Sequence, residues 1–216
     1  MSIIAYFVHV NAEQLRLVRE QPAIVWHIAS DPRFAKAAMV DIDKDWEVIS
    51  WLASDKKRKE QQRFTVTMKA LDRPEAKSLQ GSDPAYRKIL TDEAHKLGVK
   101  LVDPDSLPTD PLLEAIEGRG TERQHDAAID LGMGGARVFS VAEVRSLAHA
   151  LAAARESDLR AAFDRHEMQR FDVGGMAWED EDSSILDDIL LPEFRKLRDF
   201  YRSAAELGDQ VLVVYQ

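Results

Sequence analysis

The two ends of this chain constrain its fold more than any other feature. Ile3, Ile4, Ala5, Tyr6, Phe7, Val8, His9 and Val10 form a nearly continuous apolar run, and Val211, Leu212, Val213, Val214 and Tyr215 form another. A strand with one wet face alternates polar and apolar residues. Unbroken apolarity instead predicts strands covered on both faces, inside a helix-covered sheet. With both ends in such strands, the simplest arrangement pairs them in one sheet. The spacing between them is mostly helical. The expected fold class is therefore α/β: a layered sheet with helices packed on it, both chain termini in central strands, and a helical/loop insertion.

Local signals fill in the order. Asn11 is placed to cap a helix over Ala12–Glu20, with Leu15 and Val18 inward and Pro22 near its end. Asp43 is placed to cap the next, where Trp46, Val48 and Ile49 recur at helical spacing. Ser140 with Glu143 three residues on is a capping-box signature, and Val144, Leu147, Ala148 and Leu151 make the stripe behind it. Ser157 is expected to open a short helix carrying Leu159, Ala162 and Phe163. Residues 185–207 read as a long helix with Leu197, Phe200, Tyr201 and Ala204 inward, kinked or divided at Pro192 and ended by Gly208. Residues 55–126 break this order. They open on the charged run KKRKEQQR, continue through a strand at 64–68 and a helix at 84–97, and are crossed by Pro74, Gly81, Pro84, Pro104, Pro108 and Pro111. We expect one domain over residues 1–216, with an elaborating insertion at about 55–126 too poor in apolar residues for a core of its own.

Charge and composition narrow the function classes. The chain carries 29 basic and 38 acidic side chains, a net charge of −9, which argues against general affinity for nucleic acid or anionic membrane. Hydrophobic residues are 45% and charged residues 31%, a globular balance that excludes wholesale disorder. With no cysteine there is no disulfide, no thiol nucleophile and no cysteine-ligated zinc or iron–sulfur cluster. The N-terminal stretch lacks a positive n-region and a small-residue cleavage site, and no run approaches 18 apolar residues. The expectation is a soluble cytoplasmic protein with no membrane or nucleic-acid partner and no cofactor.

Three blocks in their present order carry a family resemblance: MVDIDKDWEVISWL (39–52), DLGMGGARVFSVAEVRSLAHAL (130–151) and FRKLRDFYRSAAELGDQVLVVY (194–215). TDPLLEAIEG (109–118) is a weaker echo. With its IIAYF start the chain resembles the YfbM-like family, bacterial proteins classed as a domain of unknown function. The resemblance implies a layered α/β fold with its sheet between helices, and it brings no catalytic residues to transfer. Two departures stand out. Gly135 occupies the place of a proline in the glycine-rich turn, and FDVGGMAW (171–178) replaces a tyrosine–proline approach to a tryptophan.

Several constellations are candidates for chemistry. Asp41 and Asp43, alternating ahead of Trp46, are spaced to hold a hard cation such as magnesium. The same residues serve equally as helix-starting caps and first-turn acids, which is the simpler reading. Gly132, Gly134 and Gly135 with Arg137 offer backbone amides and a guanidinium to a small anion. That turn lacks the Lys-Ser/Thr ending of a P-loop and the G-x-G-x-x-G spacing, so a plain turn is favoured. His9, His27, His95, His125, His149 and His166 form no H-x-x-x-H or H-E-x-x-H pair, and no G-x-S-x-G elbow exists. Lys56, Lys57, Arg58, Lys59 and Arg63 read as a solvated helix or loop. Trp178 leads Glu179, Asp180, Glu181 and Asp182. An aromatic anchor in an acidic rim suits a basic protein partner, although the acids equally suit the start of a helix at Ser183 or Ser184. Two functions follow as expectations. The first is a non-enzymatic protein-binding module, with an immunity-type role as one form, docking through Trp178, Glu179, Asp180 and Glu181. The second is a small enzyme or ligand-binding protein with a metal or phosphate site built from Asp41, Asp43, Trp46, Gly132, Gly134 and Arg137.

Overall fold

The computed structural model of the protein describes residues 4–42, 45–79, 81–119, 122–124 and 136–215. Asp43, Gly132, Gly134 and Gly135 lie outside the described residues. Packing divides the chain into a sheet unit (residues 1–53, 111–163 and 182–216) and a helical unit (residues 54–110 and 164–181).

In the sheet unit the two terminal strands are neighbours. Strand β1 (Ala5–Val10) pairs antiparallel with β5 (Gln210–Tyr215), Ala5 opposite Tyr215 and Val10 opposite Gln210. Outside β1 lies β2 (Met39–Asp41); outside β5 lie β4 (Ala136–Phe139) and then β3 (Glu122–Gln124), giving the order β2-β1-β5-β4-β3. Both terminal strands thus have partners on each edge, and their faces are covered too. Val8, Val10, Leu212, Val214, Ala136 and Val138 pack on helix α1 (Ala12–Glu20) and the turns that follow it, through Leu15, Val18, Ile24, Val25, Ile28 and Phe34. On the opposite face Phe7 and Phe139 meet Tyr201 edge-on at 6.1 and 6.2 Å. Tyr201 belongs to α9 (Leu191–Leu207), which is flanked by α6 (Val141–Ala153). This double cover is why neither run needs a polar residue at alternate positions.

The helix ends follow their chemistry. Asn11 and Gln14 cap α1 reciprocally, and Ser140 and Glu143 do the same for α6, satisfying amides that have no intrahelical acceptor. A wide turn at Leu186–Leu190 precedes α9, so Pro192 falls in the first turn of α9, where its missing N–H costs nothing. Gly208, with φ 71°, ends α9 in the left-handed conformation. Ser157 does not open its helix. Helix α7 (Glu156–Ala162) starts one residue earlier, after Arg155, which makes no side-chain cap and instead pairs with Asp158 at 2.9 Å.

The helical unit corrects two expectations. Residues 64–68 are not a strand: they continue α3 (Asp55–Leu71), which starts at Ser54, whose Oγ accepts from Lys57 N at 3.0 Å. Gln61 Nε2 and Thr65 Oγ1 both donate to the Phe171 carbonyl at 3.0 Å. These buried hydrogen bonds, one helical turn apart, outweigh the β-propensity of Thr65, Val66 and Thr67. The unit also has a small core: Ala70, Ala76, Tyr86 and Ile89, with Leu79 and Leu90 against them. Tyr86, Ile89 and Leu90 come from α4 (Pro84–Lys96). The chain from Pro111 groups with the sheet unit, and residues 164–181, including α8 (Arg165–Arg170), join the helical unit. Among the described residues no helix is long and apolar enough to cross a membrane.

Candidate functional site

Polar side chains converge where β5 ends. The Tyr215 hydroxyl donates to the carbonyl of Glu117, the residue just past α5 (Pro111–Ile116). Gly118 follows with φ +54°, its backbone pressed against β5 so closely that a Cβ would stand 2.3 Å from Val213 Cγ1. This approach buries the Glu117 carboxylate, which accepts from Ser50 Oγ at 2.9 Å and from Arg119 Nε at 2.8 Å. Trp46, in the first turn of α2 (Asp45–Ala53), meets the Tyr215 ring edge-on at 5.8 Å. Arg137 stands opposite Val213 on β4, so it shares a sheet face with Tyr215. Burial pushes the Tyr215 phenol above its ordinary pKa and the Glu117 charge adds to this, while Arg137 and Arg119 pull the other way. Both Glu117 carboxylate oxygens are held by side-chain donors, which makes the group a clamp between α2, α5 and the sheet rather than a proton carrier.

Of the sequence candidates for a ligand site, the structure brings Trp46 and Arg137 together around Tyr215. It does not bring Asp41 there. Asp41 lies opposite Tyr6 on β2, exposed, and therefore on the other face of the sheet. Among the described residues no three His, Asp or Glu side chains converge to hold a metal ion.

His9 has the burial of a catalytic base but not the geometry. Its Nε2 faces the Phe200 carbonyl at 3.1 Å and its Nδ1 lies 3.6 Å from Asp209 Oδ2. It floors a cleft of about 270 Å³ lined also by Asn11, Gln14, Lys36 and Leu207. In carboxylate–histidine catalysis the second nitrogen must face the substrate. Here a backbone carbonyl occupies it.

The helical unit holds the partner-binding candidates, and the proposed anchor is not on the surface. Trp178 is 0% exposed, with its Nε1 donating to the Val173 carbonyl at 2.7 Å. The turn that receives it has left-handed backbone at Asp172, Gly174 and Gly175, which explains the glycines of FDVGGMAW. An indole with its polar edge satisfied inside the protein is core, not anchor. Glu179 and Asp180 remain exposed; Glu181 is half-buried, and its carbonyl accepts from Arg165 Nη1. Asp182 starts the next turn, its Oδ1 accepting from Ser184 N at 2.8 Å.

The same unit exposes what the sequence reading missed. Five large apolar side chains are exposed among the described residues, and three of them, Phe64 (57%), Met68 (44%) and Leu71 (46%), lie on one face of α3 at i, i+4 and i+7. Beside them is a cleft of about 370 Å³ lined by Arg63 and Thr67 of α3, Tyr86 and Leu90 of α4, and Gly81, Leu101, Val102 and Asp103.

The model of a domain of unknown function, DUF1877, matches residues 95–214, just over half of the chain. The chain belongs to the DUF1877 family. No curated protein matches it significantly. Among solved structures, a protein of unknown function, YfbM from Escherichia coli, superposes with a TM-score of 0.54 at 17% identity, covering 99% of each chain. That likeness concerns the fold. The family match includes Glu117, Arg119, Arg137 and Trp178, whereas Ser50, Tyr215 and the α3 stripe lie outside it.

Proposed function

We propose that this DUF1877 member is a cytoplasmic protein-binding module whose contact surface is α3 rather than the Trp178 loop. The observation that carries this reading is the exposed Phe64, Met68 and Leu71 stripe. Isolated apolar side chains on a surface are ordinary, but three aligned on one helix face beside a cleft are the arrangement of a helix-recognition site. At roughly 200 Å² per large side chain the stripe exposes roughly 300 Å², worth about 7 kcal/mol gross if fully covered. Association costs about 4–15 kcal/mol in lost freedom. The stripe is therefore an anchor, and the surrounding rim must supply the rest.

The test compares the full chain with a Phe64→Ser, Met68→Ser, Leu71→Ser variant in cross-linked pull-downs from the native cells. The variant is expected to lose a protein that both the wild type and Trp178→Phe recover, with its melting temperature unchanged or raised. Equal recovery by the stripe variant refutes the reading.

A further inference from the structure

We infer that the segment received by α3 is an amphipathic helix whose apolar ridge is bordered by acidic side chains. This rests on the reading of α3 as the contact surface, and it names the partner's chemistry. Phe64, Met68 and Leu71 advance along α3 by seven residues, about 10 Å, two turns of helix, so the complementary object is a ridge of the same length and period. The cleft between Thr67, Tyr86, Leu90 and Leu101 adds a recess for one large side chain of that ridge.

Charge selects the border. Helix α3 holds six basic residues, Lys56, Lys57, Arg58, Lys59, Arg63 and Lys69, against Asp55 and Glu60; Lys57 is buried and the other five basic residues are half-buried or exposed. Its formal charge is thus +4, in a chain whose total is −9, leaving −13 on everything else. Lys56, Lys59 and Arg63 follow one another at i, i+3 and i+7 and lead along one side of α3 to the N-terminal end of the stripe, where Arg63 precedes Phe64. Arg63 pairs with Asp103 at 3.3 Å, an exposed contact that an incoming carboxylate can exchange at little cost. A basic helix in an acidic protein steers acidic partners toward one place and repels basic ones.

The same charge excludes two other occupants. A second copy docking α3 on α3 would bring two basic helices together. An anionic membrane attracts basic amphipathic helices, but the −13 carried by the remainder of the chain is repelled by the lipid.

The experiment is a selection from displayed helical peptides with a fixed leucine ridge at i, i+4 and i+7 and randomised flanking positions, using the full-length chain as bait. Asp and Glu are expected to dominate the flanks of enriched peptides. A selected peptide is expected to bind about tenfold more tightly than its Lys-flanked counterpart, to weaken with added salt, and to be lost on Phe64→Ser with Met68→Ser. Lys-, Arg- or neutral-flanked winners that still depend on the stripe overturn this inference and leave α3 as the contact surface. Enrichment indifferent to the stripe, or none, overturns both. Sedimentation with vesicles of anionic phospholipid, or self-association lost in the stripe variant, also overturns the helix assignment.

Discussion

Gly118→Ala tests whether the sheet end is built around a backbone contact that only glycine permits. Two costs add at this position. The native φ of +54° strains any L-residue by about 1–2 kcal/mol, partly offset by about 0.4–1 kcal/mol from the stiffer unfolded chain. The new Cβ would also stand 2.3 Å from Val213 Cγ1 and 2.9 Å from its Cβ. Val213 cannot retreat, because it is fully buried between Phe7 on β1 and Arg137 on β4, and overpacking of this kind costs about 1–3 kcal/mol. The expected loss is about 2–4 kcal/mol, read from urea unfolding and from amide exchange in β5, which reports the sheet unit locally. Val213→Ala removes the two γ carbons at a cost of about 2–3 kcal/mol. In that background Gly118→Ala should retain the backbone strain and the 2.9 Å approach to the remaining Cβ but lose the harder clash with Cγ1, so the cycle should show about 1–2 kcal/mol of favourable coupling. Strict additivity, or a Gly118→Ala loss under about 1 kcal/mol, would falsify the close approach as the reason for the glycine.

Trp178→Ala should cost about 3–5 kcal/mol in thermal or urea unfolding, as a buried indole does, and Trp178→Phe should cost less but leave the Val173 carbonyl without its donor. A change under about 0.5 kcal/mol for either would return Trp178 to the surface. Burial raises the phenols of Tyr201 and Tyr215 above the ordinary value of 10.0. A raised native pKa contributes stability that is intact below the unfolded value and lost as pH climbs through the native one. The urea midpoint should therefore hold steady up to about pH 10 and fall above it; Tyr215→Phe should flatten that fall, and an unchanged alkaline slope counts against the burial.

The sheet unit was largely legible because its determinants are local or periodic. Asn11 with Gln14, and Ser140 with Glu143, stand three residues apart in the sequence and satisfy each other's backbone in the structure. Gly208 marks the end of α9 for the same conformational reason in both. The Glu117 clamp was not legible. Its donors, Ser50, Arg119 and Tyr215, come from three separate stretches of chain and meet only because Gly118 lets the backbone reach β5. Trp178 misled for a related reason: four acids follow it, but its place is set by the left-handed turn before it, where Asp172 adopts a φ of 52° that its residue type does not announce.

The α3 stripe shows how one local misreading conceals a surface. Taken as a strand, residues 64–68 place Phe64, Val66 and Met68 on a single face, an unremarkable half-buried edge. Taken as a helix, the same residues separate. Val66 turns inward with Ala70, while Phe64, Met68 and Leu71 turn outward together. What decides between the two is Gln61 and Thr65, whose side chains both seek the carbonyl of Phe171, more than a hundred positions away. β-branched composition spoke for a strand and the distant carbonyl chose a helix. The choice turned three apolar residues into the most exposed hydrophobic row described in the protein, next to its densest basic run. A helix kept only for stability would pack its apolar face inward, as α9 does with Phe194, Leu197, Phe200 and Tyr201. Helix α3 packs inward through Lys57, Gln61, Thr65, Val66 and Ala70 and leaves its larger apolar residues outside. That inversion costs solubility without adding to the fold, which is the physical reason for proposing a contact surface there.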